Sequence, residues 1–186
     1  PLQLIYSERI LYMNFPFLAS LIVFLLVLGR VLKKNTRNIE EEQLSFWQKE
    51  RASNQVRKKP LDDLDYIQIP MNTLPLTSHA KHPEIRECID IMTSLSECKI
   101  VNLTGISNTD LKLTYGTANI TALSEYDQNY TLLVTTLQKW ANILYQLEDL
   151  DAATTICEYA VSVNSDISKT YLMLAEIYDK QQTTEK

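Results

Sequence analysis

The chain has 186 residues with only three glycines, and 45% of its residues are hydrophobic, which allows one modest domain with appendages and favours helices over a turn-rich β fold. The net charge of −5 is uneven, because residues 30–59 hold nine basic and four acidic residues, whereas residues 60–186 hold eight basic and eighteen acidic ones. The acidic part is a poor partner for nucleic acid, since phosphate binding needs Lys and Arg. We therefore predict an all-α protein that does not bind nucleic acid.

An uncharged, largely apolar run lies between Arg9 and Arg30 and predicts a transmembrane helix over residues 10–32, within an anchor of residues 1–32. About twenty such residues are enough to cross the hydrocarbon core as a helix. A cleaved signal peptide would carry its positive charges before the apolar run, but here they follow it. We therefore expect a retained, single-pass anchor that contacts membrane lipid.

A basic cluster at Arg30, Lys33, Lys34 and Arg37 follows the predicted span and opens a basic juxtamembrane segment over residues 33–59. Positive charge beside a span favours the cytoplasmic side. The prediction is a cell-membrane protein with its amino terminus outside and its carboxyl-terminal domain in the cytoplasm. The cluster could also bind anionic lipid, at about 1 kcal/mol per charge near the surface, although the orientation signal alone explains it.

The basic segment continues as a polar helical pattern over residues 38–55, which ends before Pro60 because the residue preceding a proline is driven out of helical geometry. This pattern is interpreted as a solvated stalk. The alternative is that Phe46 and Trp47 dock on the membrane or on the domain.

Prolines and alternating apolar residues predict an extended strap over residues 60–83. So many apolar side chains are expected to lie along the helical domain rather than in water. A short linear motif for a partner is the alternative interpretation.

The chain lacks the sequence signatures of catalytic and cofactor sites. His79 and His82 are its only histidines, and the gap between Cys88 and Cys98 lacks the close cysteine pair of structural zinc sites. Three isolated glycines leave no Gly-rich loop for a phosphate, and no nucleophile elbow is present. We therefore predict no metal, no cofactor and no enzymatic activity.

Helical spacing of apolar residues dominates the rest of the chain. Pro83 opens a predicted helix whose buried stripe consists of Ile85, Ile89, Met92 and Leu95. After Gly116 the apolar residues alternate steps of three and four, which predicts either one helix over residues 117–148 or two helices joined near residues 127–129. A coiled-coil dimer is an alternative use of this seam.

A set of apolar and small residues recurs thirty-four positions later. The first copy is Leu137, Trp140, Ala141 and Leu144, and the second is Tyr171, Leu174, Ala175 and Tyr178. Between the copies, small and apolar residues predict a further helix, in which Ala153 and Ala160 are small because two helices approach closely there. A helix pair with this period is typical of the tetratricopeptide repeat.

The segment resembles the tetratricopeptide repeat family over one full repeat, about residues 134–167, and the first helix of a second. The family's alternating large and small positions are occupied by Trp140, Ala141, Leu144, Leu150, Ala153, Cys157 and Ala160. Two positions depart from the family pattern, with Glu148 where Gly is usual and Ser165 where Pro is usual. The chain also resembles membrane-tethered repeat proteins of bacteria. The resemblance implies a helical-hairpin domain of this kind over residues 84–181, followed by a disordered tail at residues 182–186.

In the family, the first helix of each repeat lines a binding face. The positions carried over are Gln138, Asn142, Tyr145, Gln146, Lys169, Leu172, Glu176 and Asp179, and Tyr178 is added because the second repeat stops after its first helix. The resemblance implies a cytoplasmic adaptor or scaffold for protein–protein interaction, which binds a protein, a peptide or a second copy. The alternative is a small structural or assembly subunit of a membrane protein complex, held mainly through its transmembrane helix.

Overall fold

The computed structural model describes the backbone of residues 2–184 and the side chains of residues 18–181. The regular structure of this part of the chain consists of six α-helices and one 3₁₀ turn, with a single isolated β-bridge. The all-α prediction is therefore confirmed. The chain divides into two compact units, Pro1–Ala52 and Ser53–Lys186.

The first unit is built from one helix, α1 (Leu2–Ser53), which runs without a break through the predicted anchor and stalk. Eleven large apolar side chains between Leu18 and Leu32 are 39% to 59% exposed, and they point to all sides of the helix. Phe46 and Trp47 are also exposed, and their rings meet edge to face with centroids 5.6 Å apart.

The predicted transmembrane segment lies only partly in the described region, because the side chains of residues 10–17 fall outside it. Among the residues that were described, none of the helices offers an apolar stretch of the length that a membrane crossing requires. The membrane-spanning helix therefore stays a prediction.

The second unit holds the five remaining helices. They are α2 (Pro83–Leu95), α3 (Asn108–Tyr115), α4 (Ile120–Gln146), α5 (Leu150–Ser162) and α6 (Ser168–Thr184). The main core forms where α4 packs against both α2 and α5, and α6 packs against α5. α2 buries Ile85, Met92 and Leu95 as expected, but Cys88 is fully buried where Ile89 was expected and Ile89 is only half-buried.

The long apolar seam after Gly116 is one helix rather than two. A 3₁₀ turn over Thr117–Asn119 leads directly into α4, and residues 127–129 continue it as ordinary helix. Because the apolar residues recur at steps of three and four, they lie on one side of α4. Leu123, Leu133 and the first copy of the recurring set, Leu137, Trp140, Ala141 and Leu144, are all buried.

The predicted strap contains turns and no helix before Pro83, where α2 begins, and its apolar side chains pack on the helices of the second unit. Its amino-terminal part joins a smaller core with Leu111 and Leu123. The backbone N–H of Ile67 donates to the carbonyl of Ile100 at 2.9 Å. Farther along, Leu74 is buried in the main core.

Both turns around α5 use a left-handed backbone conformation at a residue other than glycine. Glu148, between α4 and α5, has φ +60°, and Asn164, between α5 and α6, has φ +57°. Glu148 stands where the repeat family usually has Gly, which is the residue that this conformation favours. Asp149 then caps α5, because its side chain accepts from the N–H of Ala152 at 3.1 Å.

α6 presents a buried stripe that differs from the recurring set. Thr170, Met173 and Ile177 face the core, whereas Tyr171 and Tyr178 remain exposed. The helix continues to Thr184, so it includes the first residues of the predicted tail, while residues 185 and 186 lie outside the described part.

Candidate functional site

The predicted binding residues of α4 and α6 meet along a line of polar contacts, here called the polar seam. The hydroxyl of Thr170 donates to Oε1 of Gln138 at 2.5 Å, and Nζ of Lys169 donates to Oδ1 of Asn142 at 3.2 Å. On α4, Gln138 and Asn142 directly follow the buried Leu137 and Ala141, so they lie at the edge of its buried stripe. The seam therefore brings together the two helices that the resemblance assigns to one binding face.

Tyr145 closes the seam at the end of α4. Its hydroxyl donates to the carboxylate of Glu176 and accepts from Nζ of Lys180, and that ammonium lies 4.5 Å from the centroid of the Tyr145 ring. Lys180 also pairs with Glu176 at 3.1 Å, one helical turn away. Tyr145 is thus held in place by contacts within the chain rather than left open to a ligand.

These contacts change the acidity of the groups involved. The hydrogen bond from Tyr145 lowers the pKa of the Glu176 carboxyl, with a second contribution from Lys180. The hydrogen bonds to Tyr145 and Glu176 raise the pKa of the Lys180 ammonium. Both shifts favour the charged forms, so the carboxylate of Glu176 and the ammonium of Lys180 stay ionised around neutral pH.

The other predicted binding residues differ in exposure and in direction. Gln146 and Asp179 are exposed, and Leu172 is 72% exposed, the most exposed of the large apolar side chains outside α1. Tyr178 points the other way, towards α5, where its hydroxyl donates to Oε1 of Glu158 at 2.7 Å. The five predicted residues on α6 therefore do not share one face, because Tyr178 lies on the α5 side.

The second face of α6 carries an apolar strip at helical spacing, here called the open strip. It consists of Tyr171, Leu174, Ala175 and Tyr178, of which Leu174 is half-buried and the others are exposed. The matching residues of α4 are all buried in the main core, where α5 packs on α4. The same pattern is thus fully buried in one copy and only partly covered in the other.

An acidic edge borders the open strip along α5. It consists of Asp151 and Glu158, both exposed, which reach α6 through Gln181 and Tyr178. No Lys or Arg occurs between Lys139 and Lys169, whereas five carboxylates do. The segment that contains α5 therefore supplies carboxylates and no Lys or Arg to this border.

Several residues of these surfaces were not among the binding residues predicted from the sequence. Lys180 could have been found, because it follows Glu176 by four residues, the spacing of a helical ion pair. Thr170 carried no such signal, since a threonine near the start of a helix is common. Glu158 and Asp151 have the sequence pattern of ordinary solvated charges, and only the fold places them beside α6.

The histidines lie in a shallow depression of about 630 Å³ at the end of the strap. Nε2 of His79 is 3.5 Å from Oδ2 of Asp149, the residue that caps α5, and the hydroxyl of Ser78 donates to the same carboxylate oxygen. Within the described residues, no group of three or more His, Cys, Asp or Glu side chains is placed to hold a metal ion. These contacts attach the strap to the start of α5.

Comparison with known proteins adds no identification. No family model matches this chain, and no curated protein or solved structure proved significantly similar to it.

Proposed function

We propose that this chain is a membrane-anchored adaptor whose helical unit binds a protein or peptide partner without catalysis. The observation that carries the proposal is the exposed surface of α6, where Leu172 and the open strip leave apolar side chains in water. Contiguous exposed apolar surface on a folded unit often marks an interaction site. The proposal places the partner on α6 and on the α4 residues beside it, in the arrangement of a tetratricopeptide-like repeat.

The anchoring part of the proposal rests on α1. A helix whose apolar side chains are exposed on all sides from Leu18 to Leu32 is costly in water and favourable in lipid. Arg30, Lys33 and Lys34 follow at once, which supports a cytoplasmic helical unit and contact with anionic headgroups. Alkaline extraction of membranes should leave the full chain in the pellet. Leu25→Arg combined with Leu28→Arg should release it, and release of the unaltered chain would refute the anchor.

Capture of partners tests the adaptor proposal. Tagged full-length chain should recover a reproducible set of proteins, and Leu172→Asp should reduce that set, because it places a charge on the most exposed apolar position of α6. Leu132→Asp is the matched control, since Leu132 is an exposed leucine of α4 outside the predicted face. Unchanged recovery with both variants would remove α6 as the binding surface.

Substitution of Leu172 tests partner binding with fewer side effects than substitution of Tyr145 or Tyr178. Tyr145→Ala would also break the contacts to Glu176 and Lys180, and Tyr178→Glu would set a carboxylate against Glu158. A loss of binding in either variant would therefore mix the partner contact with the packing of α6.

A second candidate function is a subunit of a membrane protein complex, held through the apolar side chains of α1. The exposed run from Leu18 to Leu32 favours it, because a transmembrane partner could cover one side of that helix. Capture with residues 53–186 alone, checked for helix content by circular dichroism, separates the two functions. Recovery of the same partners supports the adaptor, and their loss supports the complex subunit.

A further inference from the structure

The open strip of α6 has the length and the spacing of a surface that packs against another helix. Tyr171, Leu174, Ala175 and Tyr178 follow at steps of three, one and three, so they form one continuous stripe along about two turns. The small side chain of Ala175 lies at its centre and lets another backbone approach closely. In α4 the corresponding stripe, with Ala141 at its centre, is buried in the main core, where the helices α2 and α5 pack on α4. The geometry therefore fits a helix better than an extended peptide.

The charges beside the strip define the chemistry of that helix. Asp151 and Glu158 border it on the α5 side, while the two lysines of α6 point to the opposite face. Lys169 reaches Asn142 across the polar seam, and Lys180 reaches Tyr145. The strip is thus apolar with a negative border, and a partner that covers it must place its own charges against carboxylates.

We propose that the open strip is the docking surface for a cationic amphipathic helix of a partner protein. Its apolar residues, spaced at three and four, would cover Tyr171, Ala175 and Tyr178, and its Lys or Arg side chains would lie over the acidic edge. A membrane surface does not fit this position, since anionic headgroups would be repelled by the same carboxylates. The inference rests on the proposed adaptor function and specifies the partner class for one of its two faces.

The test uses the full chain in a neutral detergent and a labelled synthetic helix of about 18 residues, with leucines at helical spacing and lysines on the other positions. The comparison peptide has the same sequence with glutamate for lysine. Fluorescence anisotropy should show saturable binding of the lysine peptide that weakens as NaCl rises from about 50 to about 500 mM. The glutamate peptide should not bind.

Variants locate the contact. Ala175→Arg should weaken binding of the lysine peptide about tenfold or more, because it fills the centre of the strip with a large cation. Asp151→Asn combined with Glu158→Gln should weaken binding and flatten its salt dependence, while the glutamine can still accept from Tyr178. Leu132→Arg adds the same charge elsewhere and should leave binding unchanged.

Three outcomes would overturn the proposal. They are binding of both peptides with equal affinity, binding that Ala175→Arg leaves intact, and no saturable binding of the lysine peptide. Sedimentation that shows a dimer lost in Ala175→Arg would assign the strip to a second copy instead. If Leu172→Asp abolishes capture of cellular partners while Ala175→Arg does not, the adaptor function stands and only this docking surface fails.

Discussion

The hydroxyl of Tyr130 in α4 donates to the main-chain carbonyl of Asn164 at 2.7 Å and accepts from Nδ2 of Asn102 at 2.9 Å. The contact ties the α5–α6 turn to α4 and to the loop before α3. Because Tyr130 is almost fully buried, burial raises the pKa of its phenol, and its neutral hydroxyl remains a donor well above neutral pH.

Tyr130→Phe should lower the free energy of unfolding by about 1 to 2 kcal/mol, since it leaves a carbonyl and an amide without this partner. Denaturant unfolding followed by circular dichroism measures the change. Tyr126→Phe is the control, because the contact of Tyr126 with Tyr66 is made by its ring, at a centroid distance of 5.9 Å. An equal loss in both variants would show that the Tyr130 hydroxyl has no special role.

Glu148→Gly should stabilise the second unit by about 0.5 to 1 kcal/mol. Glu148 adopts φ +60°, where a side chain is strained and glycine is not, although glycine also raises the entropy of the unfolded chain. Glu158→Gly, an exposed site inside α5, should instead destabilise by about 1 kcal/mol. A lower melting temperature for both variants would contradict the account of the α4–α5 turn.

Gly116→Ala should destabilise the second unit by about 2 to 4 kcal/mol. Gly116 ends α3 with φ +88° and ψ +147°, and a Cβ there would overlap the carbonyl oxygen of Arg57 and lie 2.7 Å from its carbonyl carbon. Gly105→Ala shares the positive φ, but its Cβ would meet open space, so it should cost less. Equal melting temperatures for the two variants would exclude close packing at Gly116.

Ala153→Leu should destabilise by about 1 to 3 kcal/mol, because Ala153 is fully buried where α5 packs on α4 and a larger side chain cannot fit. Ala152 does not serve as a tolerant control, because it is only 7% exposed. Ala175→Leu, on the open strip, takes its place and should cost little. A greater loss of stability for Ala175→Leu than for Ala153→Leu would show that the buried face has been assigned wrongly on both helices.

The sequence predicted the helices well because each of them needs one apolar stripe, and the stripe sets both its period and its buried face. This reasoning placed the start of α2 at Pro83 and predicted a helix, α5, between the two copies of the recurring set. It could not decide whether α4 was one helix, since Asp127 and Asn129 are polar in either case. The prediction that Ile89 is fully buried was wrong, because Cys88 and Ile89 are adjacent and both lie near the buried stripe of α2.

The contacts of the candidate binding residues were harder to predict than the fold. A residue's position in a repeat suggests that its side chain faces a groove. The position does not show whether another side chain of the same chain already contacts that side chain. Tyr145 is such a case, because Lys180 and Glu176 engage it from a helix thirty residues later. The acidic edge could not be predicted either. The charges beside the open strip depend on which helix packs next to α6, and the sequence does not give that packing.

Photo-crosslinking in native membranes tests most directly whether α6 receives a partner while the chain is anchored. A photo-reactive phenylalanine analogue replaces Leu172 in the full chain, and the same analogue at Leu132 provides the matched control. The account predicts a discrete adduct with a second polypeptide from position 172, found in the membrane fraction, and little or none from position 132. Equal adducts from both positions, or none from position 172, would contradict it.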